Sequence, residues 1–341
     1  MIVGDSAEQG RDGAQPAVSV VIAVLNCQKF IAESIDSILN QTLQDIELIV
    51  VDDGSTDGTS GILTDYAARD PRVSVIRRSE AGGAGSARNA GIEAARADFI
   101  AFQDADDVSL PGRLERHHAH LAAHPEIGFV VSPLIRSDLD NNPIGVKRIP
   151  YRGDELAERM QHYCYLSHCA AMFRTQHLRE IGGYRDGLAG AEDYDLLLRL
   201  VEKGRVELLD GPVYYHRQVP SGLTYGSNDV LQRGAELVRT FARQRAEKGH
   251  DDYEEHMQAD RMPKPSSSPA PIDPSSYDYR LARAALDCGS YRATLRFVCR
   301  GLRKKPSRAP KFAKLVVAAA MRLMLQLTGT LDWFERTFRG R

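Results

Sequence analysis

The sequence predicts an α/β fold: a mainly parallel central sheet with helices on both faces. Three observations carry this. Strand-like and helix-like stretches alternate over the first hundred residues, the strands are continuous apolar runs, and acidic or Gly-rich turns follow them. Strands apolar on both faces belong inside a sheet that is covered on both sides. A β-α-β order requires crossover connections between parallel neighbours.

The elements follow in order. "VSVVIAVL" (18–25) is a β-branched run of strand length, and Ile31, Ile35, Ile38 and Leu39 then recur at helical spacing. "IELIVV" (46–51) is a second buried strand, followed by "DDGSTDGT", in which Ser55, Thr56 and Asp57 offer helix caps. A helix to about Arg69 leads to the strand "VSVIRR" (73–78), a helix near 84–96 and the strand "DFIAF". Beyond about residue 126, "IGFVV" and "CAAMF" read as strands, "EDYDLLLRLVEKG" as a helix, "VELLDGPVYYHR" as a strand pair and 226–250 as a charged amphipathic helix. "PKPSSSPAPIDPSS" (263–276) is a Pro/Ser-rich linker. Two or three basic helices follow. The first two resemble a helix–Gly-turn–helix hairpin, like one tetratricopeptide unit without a second copy. The expected division is a loose polar arm at 1–17, an α/β domain at 18–250, a linker at 251–276 and a basic helical region at 277–341.

With 341 residues, 43% hydrophobic and 26% charged, the chain can bury a full core. Its net charge of −2 hides a division: residues 277–341 hold 15 Lys and Arg against 4 Asp and Glu, so the tail is basic and the body acidic. The tail's preferred partner is therefore anionic, and peripheral contact with an anionic membrane through 277–341 is expected. No nucleic-acid partner is expected. The most apolar stretch, "LVVAAAMRLMLQL" (315–327), is short for a membrane span and is interrupted by Arg322. Five cysteines without framework spacing, and no secretory signal, lead to the expectation of a reducing cytoplasm.

Four groups carry chemistry, and ligands of such sheets bind outside the carboxyl ends of the strands. "FQDADD" ends a buried strand with Asp104, Asp106 and Asp107. A polar turn is the plain alternative, but crowded carboxylates are relieved by one hard divalent cation, and few protein ligands leave room for phosphate oxygens and water. In "VVDDGSTDGT", Asp57 or Ser55 suffices as a cap, whereas Asp53 is not needed for one and could accept from a nucleobase or ribose. "GGAGSARNAGI" (82–92) sets Arg88 and Asn89 on a helix start, where Arg88 could offset the acidic cluster or bind a diphosphate. "GGYRDGLAGAEDYDLLLRL" (182–200) places Glu192 and Asp193 at another helix start, where pairing with the helix dipole is the competing explanation.

Together, "DDGS", "ARNAG", "DADD" and "GGY…EDYDLLLRL", in this order, closely resemble the motif series of the family 2 glycosyltransferases over about 18–224. The resemblance implies a GT-A (Rossmann-like) fold and inverting transfer from a nucleotide-sugar, UDP-linked by expectation, to a saccharide or lipid-linked acceptor. Carried over, Asp53 reads the base, and Ala23, Leu25 and Asn26 line its pocket. Arg88 lies near the nucleotide, and Asp104 and Ala105 contact the donor. Asp106, with Asp104, holds Mg2+ or Mn2+. Asp193 is the general base, assisted by Glu192.

One departure stands out. Where the family often carries Arg-x-His-Pro, this chain has "HRQVPSGLT", so Val219 occupies the position of a metal-binding His, and His216 is displaced by an odd number of strand residues. The metal is then expected to rely on Asp106 and phosphate oxygens. Three other readings are weaker. An Asp-x-Asp phosphatase needs a nucleophilic Asp after the first strand, which ends in "VLNCQ". A nucleotidyltransferase needs a basic phosphate loop there. A non-catalytic nucleotide-sugar binder fits Val219, but not the joint presence of Asp104, Asp106, Glu192 and Asp193. "HYCYLSHC" (162–169) has the residue types of a zinc site without the spacing, and the resemblance implies that 168–173 is a strand beneath the acceptor position, with His168 near the acceptor.

Overall fold

The structure, a computed structural model, describes residues 15–188, 190–219, 228–259 and 274–327. In chain order these form β1 (Val18–Val24), α1 (Ile31–Leu39), β2 (Ile46–Asp52), α2 (Thr59–Arg69), β3 (Val73–Arg77), α3 (Ala84–Ala94), β4 (Phe99–Asp104), β5 (Val108–Ser109) and α4 (Arg113–Ala123). Then come β6 (Ile127–Val131), β7 (Leu134–Ser137), β8 (Pro143–Lys147), α5 (Gly153–Met160), β9 (Ala171–Arg174), α6 (Thr175–Glu180), α7 (Glu192–Lys203), β10 (Arg205–Leu208) and β11 (Tyr214–Arg217). Five helices follow among the described residues: α8 (Asn228–Lys248), α9 (Tyr253–Ala259), α10 (Pro274–Asp287), α11 (Tyr291–Lys304) and α12 (Ala309–Leu327).

The described residues fall into two units. The first draws on Met1–Pro133, Ile149–Tyr214 and Ser227–Pro265, the second on Leu134–Arg148, Tyr215–Gly226 and Ser266–Arg341. In the first, seven strands lie in the order β10-β6-β9-β4-β1-β2-β3. β1 pairs in parallel with both β2 and β4, and β9 is antiparallel to β4 and β6. The strand order reverses direction between β1 and β4, which is the switch point where an open α/β sheet leaves a crevice.

The apolar runs explain this architecture. Val18, Val20, Ile22 and Val24 of β1 face one core with Ile31, Ile35 and Ile38 of α1, while Val21 faces the other with Ile100 and Phe102 of β4. The period of two thus puts a core on each side of one sheet. α3 lies close on β1 because position 91 is glycine: a Cβ there would meet Val21 Cγ1 at 2.3 Å. Gly91→Val is expected to cost about 1–3 kcal/mol by overpacking, read as a lower midpoint in urea.

Two expectations change. β10 and β11 are not a pair: β10 runs parallel to β6, and β11 parallel to β7. Gly211, at φ +77° between them, helps the chain leave one strand for another sheet. The stretch expected as linker also carries helix at both ends, in α9 and at the start of α10. Tyr253 of α9 has a packing partner, stacking edge-on against Phe241 at 5.9 Å, and the Arg185 guanidinium lies 4.5 Å over its ring.

In the second unit, β7 pairs with β8 and β11. α10 and α11 form the expected hairpin, turning at Gly289 (φ +71°). Its core joins Ile144 to Leu281, Ala285, Phe297 and Phe312. Asp278 is fully buried there, between Arg300 and Lys304.

Candidate active site

The strand ends of the first unit are tied together by side chains from the turns that follow them. Asn26 sits after β1 at φ +51°, a conformation Asn tolerates, and its Oδ1 accepts from Thr56 N at 2.7 Å and Asp57 N at 3.3 Å. Asp52 accepts from Ser55 N at 2.9 Å and from the Ser60 hydroxyl. Asp53 is buried; its carboxylate accepts from Gly82 N at 3.0 Å and Gly83 N at 2.8 Å, and Arg78 Nη1 pairs with it by charge at 2.9 Å. These donors tie the Gly-rich loop to the end of β2. An ionised carboxylate has about four acceptor positions, so one remains. Ala23 pairs with Asp104 across the switch point, Leu25 is exposed, and Ala105 is buried with its carbonyl near Cys27 Sγ.

The acidic turn is braced from below. Asp104 N donates to Tyr214 Oη at 3.0 Å, and its carbonyl accepts from Ser34 Oγ at 2.9 Å. Gln103 Nε2 donates to Ser34 Oγ at 3.1 Å and to the Asp107 carbonyl at 2.9 Å. Arg113, at the start of α4, is wholly buried and donates to Ser109 Oγ, Gln103 Oε1 and the carbonyls of Phe102 and Ala171 at 2.8–3.2 Å. Those are neutral acceptors. Burial lowers the Arg113 pKa, against the fields of groups that include Asp104 and Asp107.

Arg88 joins the acidic turn to α7. Its Nη2 lies 2.9 Å from Asp104 Oδ1 and its Nη1 3.6 Å from Asp193 Oδ1. Burial alone would lower the guanidinium, but Asp193, Tyr184 and Asp104 hold it well above its usual value. The second Asp193 oxygen is 2.7 Å from His168 Nδ1. Burial would raise the Asp193 carboxyl, but His168 and Arg88 keep it below the usual carboxylate range. Glu192 behaves in the opposite way: burial pushes its carboxyl up, and Oε1 accepts from Gly190 N at 3.2 Å.

The floor beneath this pair is held by backbone contacts. Asn89 accepts from Tyr184 N at 2.7 Å and donates to Tyr184 O at 2.8 Å. Arg199, paired with the buried Asp195, donates to Ile181 O at 2.7 Å and Gly183 O at 2.8 Å. In "ARNAG" and "EDYDLLLRL", then, Asn89, Asp195 and Arg199 hold a loop, while Arg88 and Asp193 reach the site.

Asp104 and Asp106, both half-buried at the end of β4, offer hard carboxylate oxygens suited to Mg2+ or Mn2+. Asp104 Oδ1 is engaged by Arg88, so the fit rests on the remaining oxygens of the turn. Among the described residues, Asp104, His168 and Cys169 bring three other metal-capable atoms within 4.8 Å. That trio offers three ligand atoms where structural zinc takes four, and burial, reinforced by Asp104, pushes the Cys169 thiol well above its usual value. Cys169 Sγ lies 3.0 Å from His168 Nε2, a hydrogen-bond distance.

The predicted residues thus form three groups in one unit. Ala23, Leu25, Asn26 and Asp53 line the β1–β2 end; Asp104, Ala105 and Asp106 form the turn after β4; and Arg88 connects that turn to Asp193 beside Glu192. His216 and Val219 belong to the other unit, with His216 Nδ1 2.8 Å from Gln218 Nε2; Pro220–Thr224 lie outside the described residues. Sequence reasoning set His168 near the acceptor without a contact to Asp193, and did not identify Tyr184. His168 begins a short 3-10 turn rather than lying on a strand.

The fold is that of the GT-A glycosyltransferases. The profile of glycosyl transferase family 2 matches residues 19–182. The putative glycosyltransferase EpsE of Bacillus subtilis (strain 168) is 35% identical over 193 residues, covering 55% of this chain and 68% of that protein. The chain belongs to this family. Chondroitin synthase of Escherichia coli is 32% identical over 220 residues, covering 64% of this chain. The chain spans less than two thirds of several curated relatives, 30% in the case of the chondroitin synthase. The crystal structure of residues 1–349 of S. aureus TarS in complex with UDP-GlcNAc has a TM-score of 0.54 and 19% identity, covering 87% of this chain and 79% of that one. At that identity it bears on the fold. No described helix is long and apolar enough to cross a membrane.

Proposed function

We propose that this chain transfers a sugar, with inversion, from a nucleoside-diphosphate sugar to a hydroxyl of a saccharide or lipid-linked acceptor, in assembly of cell-surface polysaccharide or glycolipid on the cytoplasmic side. One observation carries the reading: Arg88 bridges Asp104 and Asp193, so the acidic turn after β4 and the carboxylate on α7 face one space. Asp53 uses its remaining acceptor position on the base, beside the backbone of Ala23, Leu25 and Asn26. Arg88, with Asp104 and Ala105, binds the donor. Asp193 takes the acceptor hydroxyl's proton as the acceptor oxygen bonds to the anomeric carbon, and the bond from that carbon to the diphosphate breaks from the opposite face. Glu192 supports that base. Holding both partners in line supplies much of the remaining acceleration. Asp106 and Asp104 would hold Mg2+ or Mn2+, which when bound neutralises charge on the departing diphosphate. Val219 leaves that ion to these carboxylates and to phosphate oxygens.

UDP is the expected nucleotide, as in the TarS complex. A panel of UDP-GlcNAc, UDP-glucose and GDP-mannose, scored by thermal shift with Mn2+ and with chelator, tests this. One donor at one hundred times its Kd is expected to stabilise the fold by about 2.7 kcal/mol, and only with metal. Equal shifts with chelator would remove the metal, and no shift with any donor would remove the function.

The basic C-terminal region is proposed to rest on an anionic bilayer. α12 exposes Val316, Val317, Met321 and Leu323, while α11 exposes Arg292, Arg296, Arg300 and Arg303. Apolar side chains beside cationic ones suit an anionic lipid surface. Val317→Glu with Met321→Glu is expected to reduce co-flotation with phosphatidylglycerol vesicles and leave phosphatidylcholine vesicles unbound. Undiminished flotation of the double variant would rule this surface out.

A further inference from the structure

We infer that His168 is a positioning residue for the general base: its Nδ1 is the near contact of one oxygen of Asp193, with the Arg88 charge on the side of the other, so the carboxylate is presented to the acceptor in one orientation. The inference rests on the proposed role of Asp193 and assigns His168 a part in it.

The ring is fixed on every side. His168 is 2% exposed, and the turn it opens, His168–Ala170, leads into β9, which is paired on both edges. Phe102 meets the ring edge-on at 5.8 Å and Tyr184 at 6.1 Å. An oxygen of Asp193 lies 2.7 Å from Nδ1, an ion-pair contact set off the line of an ideal hydrogen bond, and an approach this close between two lone pairs is relieved by a proton on that nitrogen. In the neutral ring Nε2 is then an acceptor, 3.0 Å from the Cys169 thiol, which also has Asp104 within hydrogen-bond reach. Asp104 Oδ1 is 3.8 Å from the same Nε2, beyond hydrogen-bond reach. The tautomer is therefore set by its neighbours.

Asp193 is fixed correspondingly. With Oδ2 on His168 and Oδ1 beside Arg88, rotation about its Cβ–Cγ bond would break both contacts. Its side chain nevertheless stays 42% exposed, so a lone pair remains open to an incoming hydroxyl. One close contact, a flanking charge and one open side suit a base that is to meet a proton at a defined angle. His168 itself touches no reacting atom.

The test uses the full chain with the donor that the thermal-shift panel selects, and compares His168→Ala with His168→Asn, whose amide N–H can replace Nδ1–H. His168→Ala is expected to lower kcat about 10- to 100-fold, less than loss of the base itself, with donor KM within about twofold. His168→Asn is expected to recover most of that loss. A kcat equally low in both variants, or a loss confined to KM, overturns the inference. A second readout needs no turnover. In 15N-labelled protein, nitrogen–carbon-bound-proton correlation spectra are expected to show His168 with Nδ1 protonated, and Asp193→Asn is expected to shift that signal. An Nε2–H tautomer, or a signal indifferent to Asp193, refutes the contact whether or not a donor is found. Failure of every donor with this contact intact would count against the proposed function alone.

Discussion

Asp193→Asn is expected to lower kcat by about 10²–10⁴-fold, the usual worth of a general base, while leaving the donor's thermal shift in place. Donor contacts are assigned to the strand ends and to Arg88, whereas Asp193 is assigned to the acceptor. Asparagine keeps the size and can still face His168, but it cannot take a proton. The pH profile should carry the same signature. His168 and Arg88 hold the Asp193 carboxyl below the usual carboxylate range despite its burial. A depressed carboxyl loses its charge only as pH falls through that lowered value, so the base stays ionised throughout mildly acidic and neutral pH. Any acid limb of kcat above about pH 5 should therefore persist in Asp193→Glu, and one that moves with this substitution would show that Asp193 is not the depressed base.

Asp106→Ala should abolish the metal-dependent part of donor stabilisation and reduce transfer to the level seen with chelator. Its effect on the ligand-free protein should be small. Asp104, Asp106 and Asp107 share one turn, so removing a carboxylate relieves part of their mutual repulsion, and the melting temperature without metal should change little. The change should also be felt at Cys27, whose thiol is pushed up to about 12 by burial and then by the charges of Asp106 and its neighbours. Faster alkylation of Cys27 in the variant would register the lost charge. A lower melting temperature with an unaltered metal response would assign Asp106 to folding rather than to the ion.

Much of this was legible in the sequence because the relevant signals are local. Continuous apolar runs identify the strands of a covered sheet, and the acidic and Gly-rich turns after them lie in the positions where such sheets bind ligands. The contact of His168 with Asp193 was not legible. His168 reaches Asp193 because β9 is inserted antiparallel between β4 and β6, with Ala101 opposite Met172. Counted on in that register, position 168 comes opposite 105, beside the acidic turn. Neither the direction nor the insertion of β9 leaves a mark in "CAAMF". The association of 134–148 with the C-terminal helices is likewise a tertiary fact, since Ile144 pairs its burial with residues more than a hundred positions away. Asp53 was anticipated as a reader of the base, but its contacts with the Gly-rich loop and Arg78 depend on a loop closure that spacing alone does not reveal.

The loop that supports Tyr184 has a property useful for engineering. Asn89 and Arg199 grip it through the amide of residue 184 and the carbonyls of 181, 183 and 184, so this grip does not read the identity of the loop's side chains. Exchanges between Arg185 and the start of α7 then have to keep Leu188 and Ala191, which are buried in the core, while the ends of the loop stay anchored. Grafts from relatives that accept different sugars should fold on this frame with the Arg88–Asp193 spacing preserved. Acceptor choice and catalytic power would then be separately adjustable in one small enzyme.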